Sequence, residues 1–199
     1  MRTVSAMYDD HAAALAAADR LEALGVERDD ISIVASNADG WRDGDGEESH
    51  AGEGAAAGAG VGAALGGAGG LLAGLGLMAI PGVGPVVAAG WLAATAAGAA
   101  AGAATGAAAG GIVGAMTSAG VPEHEANLYA EGVRRGGSLV SARVDDALAG
   151  RAQETLHAGN AVDINARETA WREQGWERFD PDSPGYTPEQ VREERSRYL

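Results

Sequence analysis

Several glycine pairs in the sequence have the Gly-x-Gly spacing of a phosphate-binding loop. Two of them are Gly60 with Gly62 and Gly82 with Gly84. The dinucleotide-binding pattern Gly-x-Gly-x-x-Gly needs a third glycine three residues after the second. In both places that position holds a branched apolar residue. We therefore expect no nucleotide and no other cofactor.

Groups that bind metal ions are scattered or incomplete. The acidic run 43–48 resembles a calcium loop, but it lacks the glutamate that closes an EF-hand at the twelfth position. We expect a solvated acidic loop there, with weak cation binding as the alternative. The four histidines have no metal-site spacing and are expected at the surface or in capping roles. They are His11, His50, His124 and His157.

Two of the usual nucleophiles for covalent catalysis, cysteine and lysine, are missing from the sequence. There is no cysteine, and all 14 basic residues are arginine, so thiolate, Schiff-base and P-loop lysine chemistry are excluded. No Gly-x-Ser-x-Gly elbow is present. The composition thus predicts no catalytic residues and a protein that is not an enzyme.

The formal net charge of −14 decides between classes of partner. Nucleic-acid backbones require a basic face, so we expect no nucleic-acid partner. The first residues lack the apolar segment of a signal peptide. We therefore expect a location in the cytoplasm or at the cytoplasmic face of the inner membrane.

The longest uncharged stretch, residues 54–121, consists mainly of glycine and alanine. Glycines recur in it at every fourth residue, so that on a helix each arm would carry a groove without side chains. Such grooves allow helices to approach closely. The glycines expected to form this self-association surface are Gly54, Gly58, Gly62, Gly66, Gly70, Gly74, Gly98, Gly102, Gly106, Gly110 and Gly114.

We interpret residues 54–121 as a helical hairpin, a glycine zipper whose turn lies at 81–85. The turn contains Pro81, Gly82, Gly84 and Pro85. Each arm would exceed a bilayer core of about 30 Å. However, residues 93–111 contain only alanine, glycine and threonine, and acidic residues flank the hairpin. Burial between copies in water and contact with membrane lipid both stay open.

Hydrophobic periodicity outside this stretch predicts an α+β fold. Strand, helix and strand are followed, after the insert, by helix, strand, helix and strand, which is the order of a ferredoxin-like split βαβ domain with one extra helix. The predicted strands are 3–8, 31–35, 138–144 and 161–166, and the predicted helices begin near 11, 122 and 146. The expected units are 1–36, an acidic Gly-rich loop 37–53, the hairpin 54–121, the second half 122–167, and a C-terminal arm 168–199.

Two segments carry a resemblance to a known family. One is the turn region 79–90, Ala-Ile-Pro-Gly-Val-Gly-Pro-Val-Val-Ala-Ala-Gly, and the other is Gly120-Val121-Pro122-Glu123 with Tyr129 and the run 136–140. Together they resemble bacterial general-stress and low-temperature-induced proteins. These join a heat-induced stress protein (YflT-type) domain to a glycine-rich hydrophobic insert. The resemblance covers about residues 1–167 and implies a stress-linked, often membrane-associated protein without catalytic residues.

The C-terminal arm has a composition of its own. It contains five of the nine aromatic residues, and Thr187-Pro188-Glu189-Gln190 forms a capping box before a short helix at 188–198. Since aromatic and arginine side chains dominate interface energies, we expect the arm to dock on a neighbouring subunit. The alternative is that it folds back on its own domain. The expected docking residues are Trp171, Trp176, Phe179, Tyr186 and Tyr198.

The sequence therefore predicts a bacterial, non-enzymatic structural protein linked to stress. It would form a homo-oligomer through the glycine-zipper hairpin, so that its main partner is itself. Membrane association through lipid is an addition to this interpretation. The alternative function is a binding module, in which the packed hairpins or the soluble head hold a hydrophobic or other small ligand.

Overall fold

The computed structural model describes residues 1–38, 40, 76–80, 82–96 and 111–198. The described chain forms an α+β fold around one antiparallel sheet. Its strands are β1 Arg2–Tyr8, β2 Ile31–Ser36, β3 Gly76–Ile80, β4 Gly84–Ala89 and β5 Ser138–Val144. Its helices are α1 His11–Ala23, α2 Gly111–Ser118, α3 Glu123–Arg134, α4 Asp146–His157, α5 Ile164–Glu173 and α6 Pro188–Ser196. Residues 91–96 are also helical.

The five strands lie in the order β1-β5-β2-β4-β3. Strand β5 pairs with β1 along its whole length, from Arg2 opposite Val144 to Tyr8 opposite Ser138. On its other side β5 pairs with β2, where Ile33 lies opposite Val140. Helix α1 connects β1 to β2, so the late strand β5 fills the gap between two early strands. β3 and β4 extend the sheet beyond β2.

Both faces of the sheet are covered by helices, which gives three layers. The strands alternate as predicted: Val4, Ala6 and Tyr8 of β1 face the side that α1 and α4 cover. Met7 faces the opposite side, where α2, α3 and residues 91–96 pack. Because the side-chain period of a strand is two residues, each strand supplies both apolar layers.

The predicted strands at 3–8, 31–35 and 138–144 and the helices beginning near 11, 122 and 146 are confirmed. The caps agree with the sequence signals: the side chain of Asp10 accepts a hydrogen bond from the amide of Ala13 at the start of α1. Pro122 precedes α3, and Glu123 and Glu125 lie in its first turn. Negative charge near a helix N-terminus is favourable.

The predicted fourth strand at 161–166 is wrong. Ala161 forms only an isolated bridge with Tyr8, and α5 begins at Ile164. The side chain of Asp163 accepts hydrogen bonds from the amides of Asn165 and Ala166 and thereby caps this helix. A carboxylate at this position favours a helix start, whereas Asp and Asn disfavour strands, so the cap overrides the alternation.

The predicted helical hairpin is wrong around its turn. Residues 76–80 and 84–89 are the antiparallel strands β3 and β4. The turn lies where the sequence placed it: the amide of Val83 donates to the carbonyl of Ile80 at 3.0 Å. Gly82 and Gly84 have φ values of +74° and +98°, which only glycine adopts without strain. The flanking Val and Ile residues favour strands, and this preference outweighs the four-residue glycine repeat that ends just before them.

Helix α2, at 111–118, also belongs to the domain, because Ile112, Ala115 and Met116 are buried in the apolar layer on the side of the sheet that Met7 faces. The expected division of the chain at 54 and 121 is therefore wrong for its described part. Removing residues 76–121 would strip one face of the sheet. The remaining parts of the predicted hairpin, 54–75 and 97–110, lie outside the described residues.

Two glycines allow the effect of close backbone approach to be separated from that of a positive φ. A Cβ at Gly90 would overlap the backbone carbonyl oxygen of Ile31, whereas one at Gly25 would meet no atom within 4 Å. Both glycines have positive φ, +88° and +99°. We expect Gly25→Ala to lower the free energy of unfolding by about 1 to 2 kcal/mol, and Gly90→Ala to lower it clearly more. Urea unfolding followed by circular dichroism measures both, and equal losses would contradict the close approach.

Candidate functional site

The aromatic C-terminal segment lies across its own domain, over the turn between β3 and β4 and over the end of α3. A Cβ at Gly82 would lie 2.5 Å from the Cα of Pro181, and one at Gly185 would lie 2.6 Å from the carbonyl oxygen of Val83. Phe179 joins the apolar layer formed by α2 and α3. The fold-back alternative thus describes the arrangement of this segment within one chain, and docking on a neighbouring subunit stays a prediction.

A group of charged side chains is buried beneath this segment. Glu131 of α3 has no exposed surface, and it binds Arg134 and Arg135, which follow on the same helix. Arg134 donates to it through Nε and Nη2, at 2.9 and 2.7 Å. Charge-assisted bonds in such a fork are among the stronger hydrogen bonds in proteins.

Glu194 of α6 completes the group from the C-terminal segment. Its Oε1 accepts from Arg135 Nη1 at 3.2 Å and from the indole Nε1 of Trp171 at 2.8 Å. Arg135 also donates to the side-chain amide oxygen of Gln174 at 3.0 Å. We call Glu131, Arg134, Arg135, Trp171 and Glu194 the arginine–glutamate network. It ties α3, α5 and α6 together, which are far apart in the sequence.

Aromatic rings enclose the two arginines of the network. The guanidinium carbon of Arg135 lies 4.9 Å from the ring centroid of Trp171 and 5.4 Å from that of Tyr186. Arg134 lies 5.2 Å from the ring of Tyr186. Trp176 packs edge-on against Trp171 at 6.0 Å. Cation–π contacts of this kind are worth more when they are removed from water.

The surroundings of Arg135 keep its guanidinium charged. Burial lowers the pKa of Arg135, but its hydrogen bond with Glu131 and the charge of that carboxylate outweigh the effect, and the pKa lies above that of ordinary arginine. Burial raises the pKa of the Tyr186 phenol. Neither group changes its charge near neutral pH. Their contacts therefore hold the C-terminal segment to the end of α3.

A second ion pair anchors α5 to the start of α1. Arg167 Nη2 donates to both carboxylate oxygens of Asp9 at 2.8 Å, and its guanidinium lies 3.3 Å from the ring centroid of Tyr198. A small cavity separates this pair from the network. Its volume is about 20 Å³, and Arg135, Arg167 and Trp171 contribute to its lining. A space of this size holds about one water molecule.

The predicted self-association glycines fall almost entirely outside the described residues. Gly114 is the exception: it lies half-buried in α2. Of the predicted hairpin-turn residues, Gly82 and Gly84 form the turn, and Pro85 is an exposed residue of β4. Pro81 is not among the described residues. Self-association through the zipper stays a prediction.

The predicted aromatic docking residues are brought together on their own chain. Trp171, Trp176 and Phe179 are buried, at 2%, 8% and 8% exposure, and Tyr186 and Tyr198 are half-buried. Sequence analysis missed the charged residues between them, Glu131 and Glu194. Glu131 lies on the side of α3 away from Tyr129 and Val133, one turn after Leu128, where Trp171 and Trp176 pack, so the apolar pattern of the helix gives no signal for its burial. An acidic residue in such a position needs a buried partner.

In the part of the chain that the structure describes, no group of three or more His, Asp or Glu side chains is arranged to hold a metal ion. His124 contacts Glu168 Oε2 at 3.2 Å, and Arg172 donates to Oε1 of the same carboxylate at 2.6 Å. The hydrogen bond from Arg172, with a further one from His124, lowers the pKa of Glu168. The acidic run 43–48 lies outside the described residues.

Among the described helices, none has both the length and the apolar character that crossing a bilayer requires.

Comparison with models of known families, with curated proteins and with solved structures found no match for this chain.

Removing the Glu194 side chain should test how strongly the network holds the C-terminal segment. Glu194→Ala leaves Arg135 and the indole of Trp171 without this buried acceptor, so we expect a loss of about 3 kcal/mol in the free energy of unfolding. Glu193→Ala is the matched control, because its pair with Arg197 is exposed and should be worth less than about 1 kcal/mol. Urea titrations of both variants decide. A similar loss in the two would mean that the network contributes little.

The packing of the tail also makes a prediction about fluorescence. In a variant with Trp41→Phe and Trp91→Phe, emission comes only from Trp171 and Trp176, which are buried within their own chain. We expect blue-shifted emission that does not change when the protein is diluted. A red shift on dilution would show that a second copy covers these rings.

Proposed function

We propose that this chain is a non-enzymatic, self-associating protein: an α+β head that carries Gly/Ala stretches through which copies pack together. One observation carries the proposal. Both ends of the second stretch, 97–110, return to one side of the head, where a Cβ at Gly111 would lie 3.5 Å from Ile80 Cγ2, and β3 follows directly on the first stretch, 54–75. Ala96, which precedes the second stretch, belongs to the same apolar layer as Ile80 and Ile112.

The segments at these points carry no charged residue of their own. Strands β3 and β4, residues 90–96 and helix α2 contain no Asp, Glu or Arg, whereas the chain as a whole carries a formal charge of −14. Copies with such a charge repel one another. They can approach at least cost through a neutral region, which supports association on this side of the head.

The glycine repeat supports close packing as the mode of association. A glycine in a helix interior costs about 1 kcal/mol relative to alanine. Eleven glycines in register would therefore disfavour an isolated helix. Packing partners that use the side-chain-free groove would offset this loss. Contact of the packed stretches with membrane lipid, at the cytoplasmic face of the inner membrane, stays an additional possibility that the same geometry would serve.

The binding-module alternative finds less support in the head. Pockets for small ligands measure about 300 to 1,000 Å³. The cavity beside the arginine–glutamate network measures about 20 Å³. This cavity is too small for a ligand of ordinary size, so the alternative is better served by a site between the Gly/Ala stretches, which presupposes the same association.

The finer identity of the head is also a proposal. The segment β1-α1-β2 with β5 between its strands is the pattern of a split βαβ unit, and the bridge of Ala161 with Tyr8 stands where a ferredoxin-like fold has its last strand. We infer a ferredoxin-like origin from this. We also propose membership in the general-stress family, on the two segments quoted above, and with it a role in stress.

A double substitution tests the proposed function. We expect Gly102→Leu with Gly106→Leu to reduce the assembly to smaller species, because leucine fills the groove and separates the backbones. Size-exclusion chromatography with light scattering measures the mass, and circular dichroism checks that the head stays folded.

The control for added hydrophobic surface is Gly150→Leu. Gly150 lies on the exposed side of α4, and a Cβ there would meet no atom within 4 Å. This variant should keep the parent's mass. If the double variant also keeps it, the glycine repeat is not the interface. If the parent protein is a monomer at all concentrations, self-association itself is refuted.

A further inference from the structure

We propose that β3 is a docking strand for the β3 of a second copy, so that two sheets join edge to edge in antiparallel orientation. This inference rests on the self-association proposed above and names its contact on the head. The occupant is a second copy of this chain.

The first observation is the position of β3. It is the last strand of the sheet and pairs with β4 along one side only. Within the described ranges, no strand lies on its outer side. An unpaired edge presents a row of amide and carbonyl groups that another strand can bind.

The second observation is the direction of these groups. Ala79 lies opposite Pro85, whose carbonyl accepts a hydrogen bond from the amide of Asn37 at 2.9 Å, on the side of β2. The nitrogen and carbonyl of one strand residue point to the same side, so Pro85 offers nothing to β3. The pair is therefore a non-hydrogen-bonded one, and the amide and carbonyl of Ala79 point outward. By the two-residue alternation, those of Leu77 do the same.

The third observation is the contrast with the opposite edge, β1. There the carbonyl of Met7 accepts from the amide of Val162 at 2.7 Å, and Tyr8 forms the bridge with Ala161. The other end of β1 carries the charge of Arg2. Charges and covering segments are the usual protection of an edge strand. β3 has neither a charged residue nor a proline in its five residues, Gly76–Ile80.

Charge selects a second copy as the occupant. Two chains of net charge −14 repel each other over most of their surface. β3 and β4 contain no charged residue, so two copies can meet there without like charges facing each other on these strands. A two-fold axis also makes the contact self-complementary, since each strand offers the same groups to the other.

The geometry fixes the register of the contact. An axis at Met78 places Leu77 of one copy opposite Ala79 of the other. The outward amide and carbonyl of Leu77 in each copy then bind those of Ala79 in the other copy. The two Met78 residues form a non-hydrogen-bonded pair, whose Cα atoms lie about 4.5 Å apart. This distance falls within the range of about 4.4 to 6.8 Å for a disulfide.

Single cysteines test this register, because the natural chain has no cysteine. We expect Met78→Cys to form a disulfide-linked dimer under mild oxidation, detected by non-reducing electrophoresis. Ala12→Cys is the matched control, since Ala12 is exposed on α1 at a distance from β3. It should stay unlinked at the same concentration. Equal cross-linking of the two variants, or none of Met78→Cys, overturns the inference.

Ala79→Pro tests the edge itself. Proline removes the outward amide while the inner ladder of β3 keeps its bonds. We expect a smaller assembly with an unchanged circular dichroism spectrum. If this variant does not fold, the cysteine result alone decides. A parent oligomer whose mass survives Ala79→Pro, and which Met78→Cys does not cross-link, overturns the edge contact and leaves self-association standing. A monomeric parent overturns both.

Discussion

The carboxylate of Glu131 lies fully buried on the side of α3 that the C-terminal segment covers, and its charge must be balanced from inside the protein. Removing an ion from water costs several kcal/mol unless partners surround it. The partners of Glu131 are Arg134, in the last turn of α3, and Arg135, which directly follows the helix. Arg135 is itself buried and needs a second acceptor, which Glu194 supplies from the far end of the chain. The order of the last part of the chain thus depends on one buried charge.

Close packing at glycine positions also holds the C-terminal segment against its own domain. The segment passes close to Gly82 and Gly84 in the β3–β4 turn, and Val191 packs where a side chain at Gly136 would stand. Each of these glycines also has a positive φ. They serve two purposes at once, since the turn and the close approach both exclude a Cβ. A turn that is covered in this way is fixed in place, and the two strands that it joins are fixed with it.

Much of the fold could be predicted because local signals and periodicity agree. In β1 the alternation of Val4, Ala6 and Tyr8 matches the buried face, and in α6 the capping box of Thr187 and Gln190 forms as the sequence indicates. The errors arose where two signals compete. A glycine repeat concealed the strand preference of residues 84–89, and a strand-like alternation at 161–166 concealed the cap at Asp163.

The network itself could not be derived from spacing. Glu131 and Glu194 are 63 positions apart, and no local signal in either helix indicates that the two belong to one network. The aromatic content of the tail was visible, but composition does not say whose surface the rings cover. The buried Arg135 answers that question, because the further acceptors that it binds, Gln174 and Glu194, come from the C-terminal segment of the same chain.

The packing of the tail on its own domain limits the surfaces through which copies of the chain could meet. The tail uses its aromatic and arginine side chains on its own domain, so these groups are not available to a partner without breaking buried ion pairs. The charged surface repels other copies. What is left for association is the uncharged side with β3, β4 and the bases of the Gly/Ala stretches. The proposed contacts between copies are of this kind, since neither the backbone groups of an edge strand nor the predicted glycine grooves need a charged side chain.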